Sequence, residues 1–117
     1  LAFKAETDDI RESPSISIVE ELIRDGARVQ LHDPQAMDNF RKLFPSLSYM
    51  DSEYDVAKNA EAIIILTEWN EYRSLDLAKI KKAMKNPYIF DTRRVIDEEE
   101  LKKHGFIYDL IGKKTEI

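Results

Sequence analysis

The chain has 117 residues, 43% of them hydrophobic and 35% charged, a length and composition that suit one globular domain with one core. Asp and Glu outnumber Lys and Arg by 23 to 18, for a net charge of −5, which argues against a broad nucleic-acid footprint because that needs clustered cations on a basic domain. Cysteine is absent, so disulfides, thiolate metal sites and a cysteine nucleophile are excluded within these residues.

The elements alternate between strand and helix. Leu1-Ala2-Phe3-Lys4 reads as the end of a buried strand, so the chain is expected to be a domain excised from a longer protein. A polar loop from Ala5 to Glu12 follows, and Ser13-Pro14 opens a helix, with Ser at the N-cap and Pro in the first turn. Ile16, Val19, Leu22 and Ile23 form its apolar stripe, and Gly26 suits a left-handed C-terminal cap. Ala27, Val29 and Leu31 alternate with polar residues in a second strand that ends at Asp33-Pro34, the start of a helix over roughly Gln35 to Leu43. Leu47 to Met50 can form a short strand, and Ser52 to Asn59 a helix.

Ala62 to Leu66 is apolar on both faces, as expected of a central strand in a parallel sheet covered by helices on both sides. It is also the longest apolar run, far short of the ~20 residues that span a bilayer. Leu75, Leu77, Ile80 and Met84 mark another helix, stopped at Asn86-Pro87, and Tyr88 to Phe90 a further strand. Asp97 to Glu100 load the start of a short helix with negative charge, and Lys102 to His104 load its end with positive charge. Phe106 to Tyr108 is the last strand. This alternation predicts an α/β fold: a Rossmann-like three-layer sandwich with a mostly parallel sheet, forming a single domain over residues 1–117.

In open parallel sheets ligands bind beyond the carboxyl ends of the strands. The residues expected there are Lys4, Asp33, Thr67-Glu68-Trp69 and Asp91-Thr92-Arg93-Arg94, with Arg11 in the first loop. Cations gathered at one edge of an acidic domain point to an anion site, to which the start of the Ser13 helix could add N–H groups. The first loop contains no glycine, so the Gly-rich dinucleotide fingerprint is absent. Each candidate also has a structural reading. Lys4 could be a solvated lysine, Arg11 a surface ion pair between Asp9 and Glu12, and Arg93 and Arg94 partners of Asp91 and Asp97. Asp33 fits an N-cap and Trp69 fits packing. The two histidines, His32 and His104, lie far apart and are expected to be structural or solvated, with no metal site.

The run Leu1-Ala2-Phe3-Lys4, then Thr7-Asp8-Asp9-Ile10-Arg11-Glu12-Ser13-Pro14, resembles the opening of the C-terminal domain of the UDP-glucose/GDP-mannose dehydrogenase family. His32-Asp33-Pro34, Leu66-Thr67-Glu68-Trp69, Asp91-Thr92-Arg93-Arg94-Val95-Ile96-Asp97, Gly105-Phe106-Ile107-Tyr108 and Ile111-Gly112 resemble later motifs of that family, with Thr92 where glycine is usual. The resemblance covers essentially the whole chain and is closest to UDP-glucose dehydrogenases.

It implies a nucleotide-sugar-binding C-terminal domain of an NAD-dependent enzyme that oxidises the sugar C6 alcohol to a carboxylate in two steps, through a cysteine thiohemiacetal. The cysteine and the main NAD-binding domain would lie elsewhere, so this chain alone is expected to be inactive and to hold no catalytic residue. By position, Phe3, Lys4 and Arg93 would bind the nucleotide sugar and Arg11 the NAD pyrophosphate. A UDP-sugar, the N-terminal and central domains, and further copies in a homo-oligomer are the implied partners. A cytoplasmic location in polysaccharide biosynthesis is expected, with no nucleic acid, membrane or metal. The alternatives are the same domain of a GDP-mannose or UDP-N-acetylmannosamine dehydrogenase, or a non-catalytic nucleotide-binding α/β module.

Overall fold

A computed structural model describes residues 1–110 apart from 3, 5, 6 and 12. The chain divides into two compact units, Leu1–Val56 and Ala57–Ile117.

The first unit contains α1 (Ser15–Arg24), β1 (Gln30–Leu31), α2 (Met37–Leu43), β2 (Ser48–Tyr49) and α3 (Glu53–Ala57, reaching the unit boundary). Its local signals act as the sequence predicts. The Ser13 hydroxyl accepts from the Ser15 N–H at 3.1 Å across Pro14, whose φ of −64° is already helical. At the other end Gly26 takes φ 87°; its N–H donates to the Ile23 carbonyl and that of Ala27 to Leu22, a Schellman cap. β1 and β2 pair in parallel, Gln30 opposite Ser48 and Leu31 opposite Tyr49. Leu1, Ala2, Val19, Leu31, Ala36 and Phe40 form the buried core.

The strand expected at Leu1 to Lys4 is not a strand among the described residues. Leu1 and Ala2 are buried as such a strand would be. Their backbone nitrogens instead donate to one carboxylate oxygen of Asp33, at 2.9 and 3.1 Å. A carboxylate can satisfy backbone donors as well as a ladder does, and apolar patterning does not distinguish the two.

The second unit contains β3 (Ile63–Ile65), α4 (Asn70–Arg73), α5 (Leu77–Ala83), β4 (Tyr88–Asp91), α6 (Glu98–Lys103) and β5 (Ile107–Leu110). The strands form a parallel sheet in the order β3-β4-β5. Asp76 and Asp97 cap α5 and α6 through the N–H groups of Lys79 and Glu99. Gly105, at φ 75°, closes α6 with a second Schellman pair to Lys102 and Leu101.

The α/β class and the parallel pairing agree with the sequence, but the described strands fall into two sheets. Among the described residues the central strand of the larger one is β4, and β3 has a ladder partner on one side only. In-register neighbours share a face, so Ile65, Asp91 and Leu110 lie together, all buried. Ile64 lies on the opposite face with Phe90 and is 38% exposed. Among the described residues, Ile63 to Ile65 is thus an edge strand with Ile64 part-exposed, where the sequence leads one to expect a central strand covered on both faces. An all-apolar strand does not by itself say what covers its two faces.

Candidate functional site

β3 and β4 are parallel, so the segments after Ile65 and after Asp91 leave the sheet at the same, carboxyl edge. Thr67 and Trp69 are 1% and 2% exposed, which assigns Trp69 to packing. Asp91 is fully buried at the end of β4 and organises the turn that follows: one carboxylate oxygen accepts from the Arg93 N–H at 3.2 Å, the other from the Ile96 N–H at 2.8 Å.

Thr92, where the resemblance noted in the sequence leads one to expect glycine, is held by two hydrogen bonds. Its N–H donates to the Ile65 carbonyl at 3.1 Å and its hydroxyl to the same oxygen at 2.6 Å, tying the two segments together. Arg94 carries the turn's left-handed backbone, at φ 51°. A non-glycine residue held there costs about 1–2 kcal/mol, so the flanking hydrogen bonds determine the conformation against the residue's own preference. Arg93 then reaches Glu68, its Nε 3.2 Å from a carboxylate oxygen, with both side chains about two-fifths exposed.

In the first unit the loop before α1 makes a different turn. The Thr7 hydroxyl accepts from the Asp9 N–H, and Asp9 accepts from the Arg11 N–H at 3.0 Å. The same carboxylate grips the Arg11 guanidinium through Nε at 3.0 Å and Nη2 at 2.7 Å. Hydrogen bonds from the Arg11 side chain, then from its backbone, hold the Asp9 pKa down at about 2. The Arg11 side chain is 86% exposed. Asn39 Nδ2 donates to the Asp8 carbonyl, anchoring the loop to α2 beside an open groove of about 640 Å³ that Ile10, Ile16, Lys42 and Leu43 also line.

Asp33 caps the turn over residues 34–36 that leads into α2: one oxygen accepts from Gln35 and Ala36, the other from Leu1 and Ala2. With its carboxylate committed to backbone groups, Asp33 is not a ligand candidate.

Of the residues expected to bind ligand, Lys4 is exposed on a bend, Arg11 pairs with Asp9, Arg93 pairs with Glu68, and Phe3 lies outside the described residues. Lys4 and Arg11 belong to the first unit and Arg93 to the second. The expected pairing of Arg93 with Asp91 is replaced by Glu68, because the Asp91 carboxylate is occupied by backbone N–H groups. Residue-by-residue reading missed Glu68 as a partner and Asp91 as the organiser. The spacing of Asp91 to Arg93 was the available signal, since Asp commonly bonds the N–H two residues on. A second recess, of about 360 Å³ between α5 and α6 and lined by Tyr72, Asp97, Glu100 and His104, holds none of the expected site residues.

Residues 1–98 match the family model described as the UDP binding domain of the UDP-glucose/GDP-mannose dehydrogenase family. The chain belongs to that family. It is similar to the UDP-glucose 6-dehydrogenases of Rhizobium meliloti (strain 1021), 45% identical over 113 residues, and of Rickettsia bellii (strain RML369-C), 40% identical over 116. Each alignment covers 97% of this chain but only 26% and 27% of the relative, so the chain spans about a quarter of their length. Among solved structures it resembles the NDP-N-acetyl-D-galactosaminuronic acid dehydrogenase of Methanosarcina mazei Go1, with TM-score 0.81 and 34% identity over 96% of this chain and 23% of that one. A UDP-glucose dehydrogenase from Pyrobaculum islandicum matches with TM-score 0.76 and 32% identity over 93% and 23%. The family membership implied by the opening motif is thus established over most of the chain.

Proposed function

We propose that this chain is the C-terminal, UDP-sugar-binding part of an NAD-dependent UDP-glucose dehydrogenase that converts UDP-glucose to UDP-glucuronate. The observation that carries the reading is Arg93, placed beyond the carboxyl end of β4 on a turn that buried Asp91 fixes. That edge is where parallel sheets bind ligands, and a guanidinium there suits a diphosphate.

Phe3 and Lys4 complete the sugar-nucleotide contacts, Lys4 supplying a second cation for the phosphates or the sugar. Arg11, exposed and oriented by Asp9, contributes one contact to the pyrophosphate of NAD. The glycine-free first loop offers no backbone cradle for a dinucleotide, so the residues present fit a supporting role and the main NAD site belongs to the remaining domains. NAD, when bound, accepts hydride from the sugar C6 carbon. What this chain contributes is charge neutralisation and orientation, which bring the C6 alcohol to chemistry performed by the other domains and fix it there. The enzyme works as a homo-oligomer in the cytoplasm, and this chain alone is inactive because it holds no cysteine.

The test is steady-state kinetics of the full-length enzyme with each substrate varied separately. Lys4→Ala and Arg93→Ala each lower kcat/KM for UDP-glucose about ten- to a hundred-fold, as loss of a charge-assisted contact of roughly 1.5–3 kcal/mol requires. Wild-type kcat/KM in both variants sinks the site assignment. Preferential turnover of GDP-mannose or UDP-N-acetylmannosamine sinks the substrate, and NADH formation by the 117-residue chain alone sinks the division of labour.

A further inference from the structure

The turn after β4 fixes the Arg93 backbone but not the direction of its side chain. Asp91 holds the Arg93 N–H at 3.2 Å, and Thr92 anchors the preceding residue to Ile65 through two hydrogen bonds. From that fixed Cα a long, rotatable side chain still has many rotamers, and immobilising one costs up to about 2 kcal/mol of entropy. One contact along it is with the Glu68 carboxylate, 3.2 Å from Nε, the guanidinium nitrogen nearest the backbone. Glu68 is itself well placed, because its neighbours Thr67 and Trp69 are buried and the carbonyl of Ile65 carries both bonds from Thr92.

We propose that Glu68 is a positioning residue for ligand recognition: it anchors Arg93 at Nε and so aims the guanidinium at the phosphates of the sugar nucleotide. The inference rests on the ligand role of Arg93 proposed above. Its chemistry runs against simple charge counting. A carboxylate beside an anion site repels the ligand, so a Glu68 that did nothing for Arg93 would weaken binding and its removal would strengthen it. Anchoring has the opposite sign. An arginine already held in one rotamer loses less freedom on meeting a phosphate, so affinity is gained by preorganisation.

The test uses the full-length enzyme in a double-mutant cycle of Glu68→Ala and Arg93→Ala, with UDP-glucose varied at saturating NAD. Glu68→Ala raises KM for UDP-glucose about five- to tenfold with kcat and KM for NAD little changed. The double variant is no worse than Arg93→Ala alone, because the effect of Glu68 passes through Arg93. Glu68→Gln, which keeps an acceptor for Nε, recovers part of the loss, and thermal unfolding of all variants stays near wild type. A merely structural Glu68 would lower the melting temperature and add its loss to that of Arg93→Ala. If Arg93→Ala weakens kcat/KM but Glu68→Ala leaves KM unchanged, lowers it, or acts additively, the positioning role is overturned while the ligand role of Arg93 stands. If Arg93→Ala itself has no effect, the underlying site reading fails instead.

Discussion

The chain contains the same Asp-x-Arg spacing twice, at Asp9-Ile10-Arg11 and at Asp91-Thr92-Arg93, and the two copies come out differently. Both aspartates accept from the backbone N–H of the arginine two residues on, at 3.0 and 3.2 Å. Asp9 is partly exposed and keeps enough carboxylate for a two-pronged grip on the Arg11 guanidinium. Asp91 is buried, and its second oxygen goes to the Ile96 N–H, so the Arg93 side chain pairs with Glu68 from another segment. Burial makes the difference: a carboxylate out of water must be fully hydrogen-bonded, and nearby backbone donors supply those bonds with little loss of chain freedom. In the exposed turn the aspartate bonds its own arginine through backbone and side chain, whereas the buried turn helps tie together two segments at the edge of the sheet.

The comparison breaks most readily at Asp91. Asp91→Ala strands the buried Ile96 N–H and loosens the part-buried Arg93 N–H, so urea unfolding should show a loss of roughly 1–4 kcal/mol. Asp9→Ala should leave the unfolding midpoint where it was, since its partner is solvent-exposed. Equal losses in the two variants would mean that burial does not separate the turns.

The next largest contrast is functional. Arg93→Ala should reduce kcat/KM for UDP-glucose at least tenfold, while Arg11→Ala should raise KM for NAD more than KM for UDP-glucose; the reverse pattern in the full-length enzyme would exchange their roles. Thr92→Val, which removes the hydroxyl bond to Ile65 but keeps the side-chain volume, should cost about 1 kcal/mol in the same urea experiment. An unchanged midpoint would show that the backbone bond alone joins the segments.

The smallest effect sharpens the local turn. The Asp9 carboxyl should titrate at about 2 by NMR, and in Arg11→Ala its midpoint should rise toward the ordinary carboxylate range. Because the folded-state value lies below the unfolded one, whatever this pair contributes is complete above the ordinary carboxylate range and fades as the pH falls toward 2. A midpoint that ignores Arg11→Ala would leave the guanidinium grip without a role.

Legibility in the sequence followed the range of the interaction. The Ser13 cap and the Schellman end at Gly26 were readable, and so was a turn started by Asp33, because each of these partners lies within about five residues. The opening motif was readable as a family signature, and the family model spanning residues 1–98 agrees with it. What failed to read out was non-local. Leu1 and Ala2 looked like a strand, yet their N–H groups meet the carboxylate of Asp33, more than thirty residues away. Ile63 to Leu66 looked central, yet among the described residues β3 has one ladder partner and Ile64 is part-exposed.

The sequence by itself determined the class, the turns and the family, since apolar periodicity, capping residues and motif spacing act over one or two turns of chain. Only the tertiary structure decided which described strand is central, how Thr92 ties β3 to the turn after β4, and which carboxylate holds Arg93. Those outcomes turn on which distant groups meet out of water, and a buried carboxylate bonds whatever donors the fold brings to it.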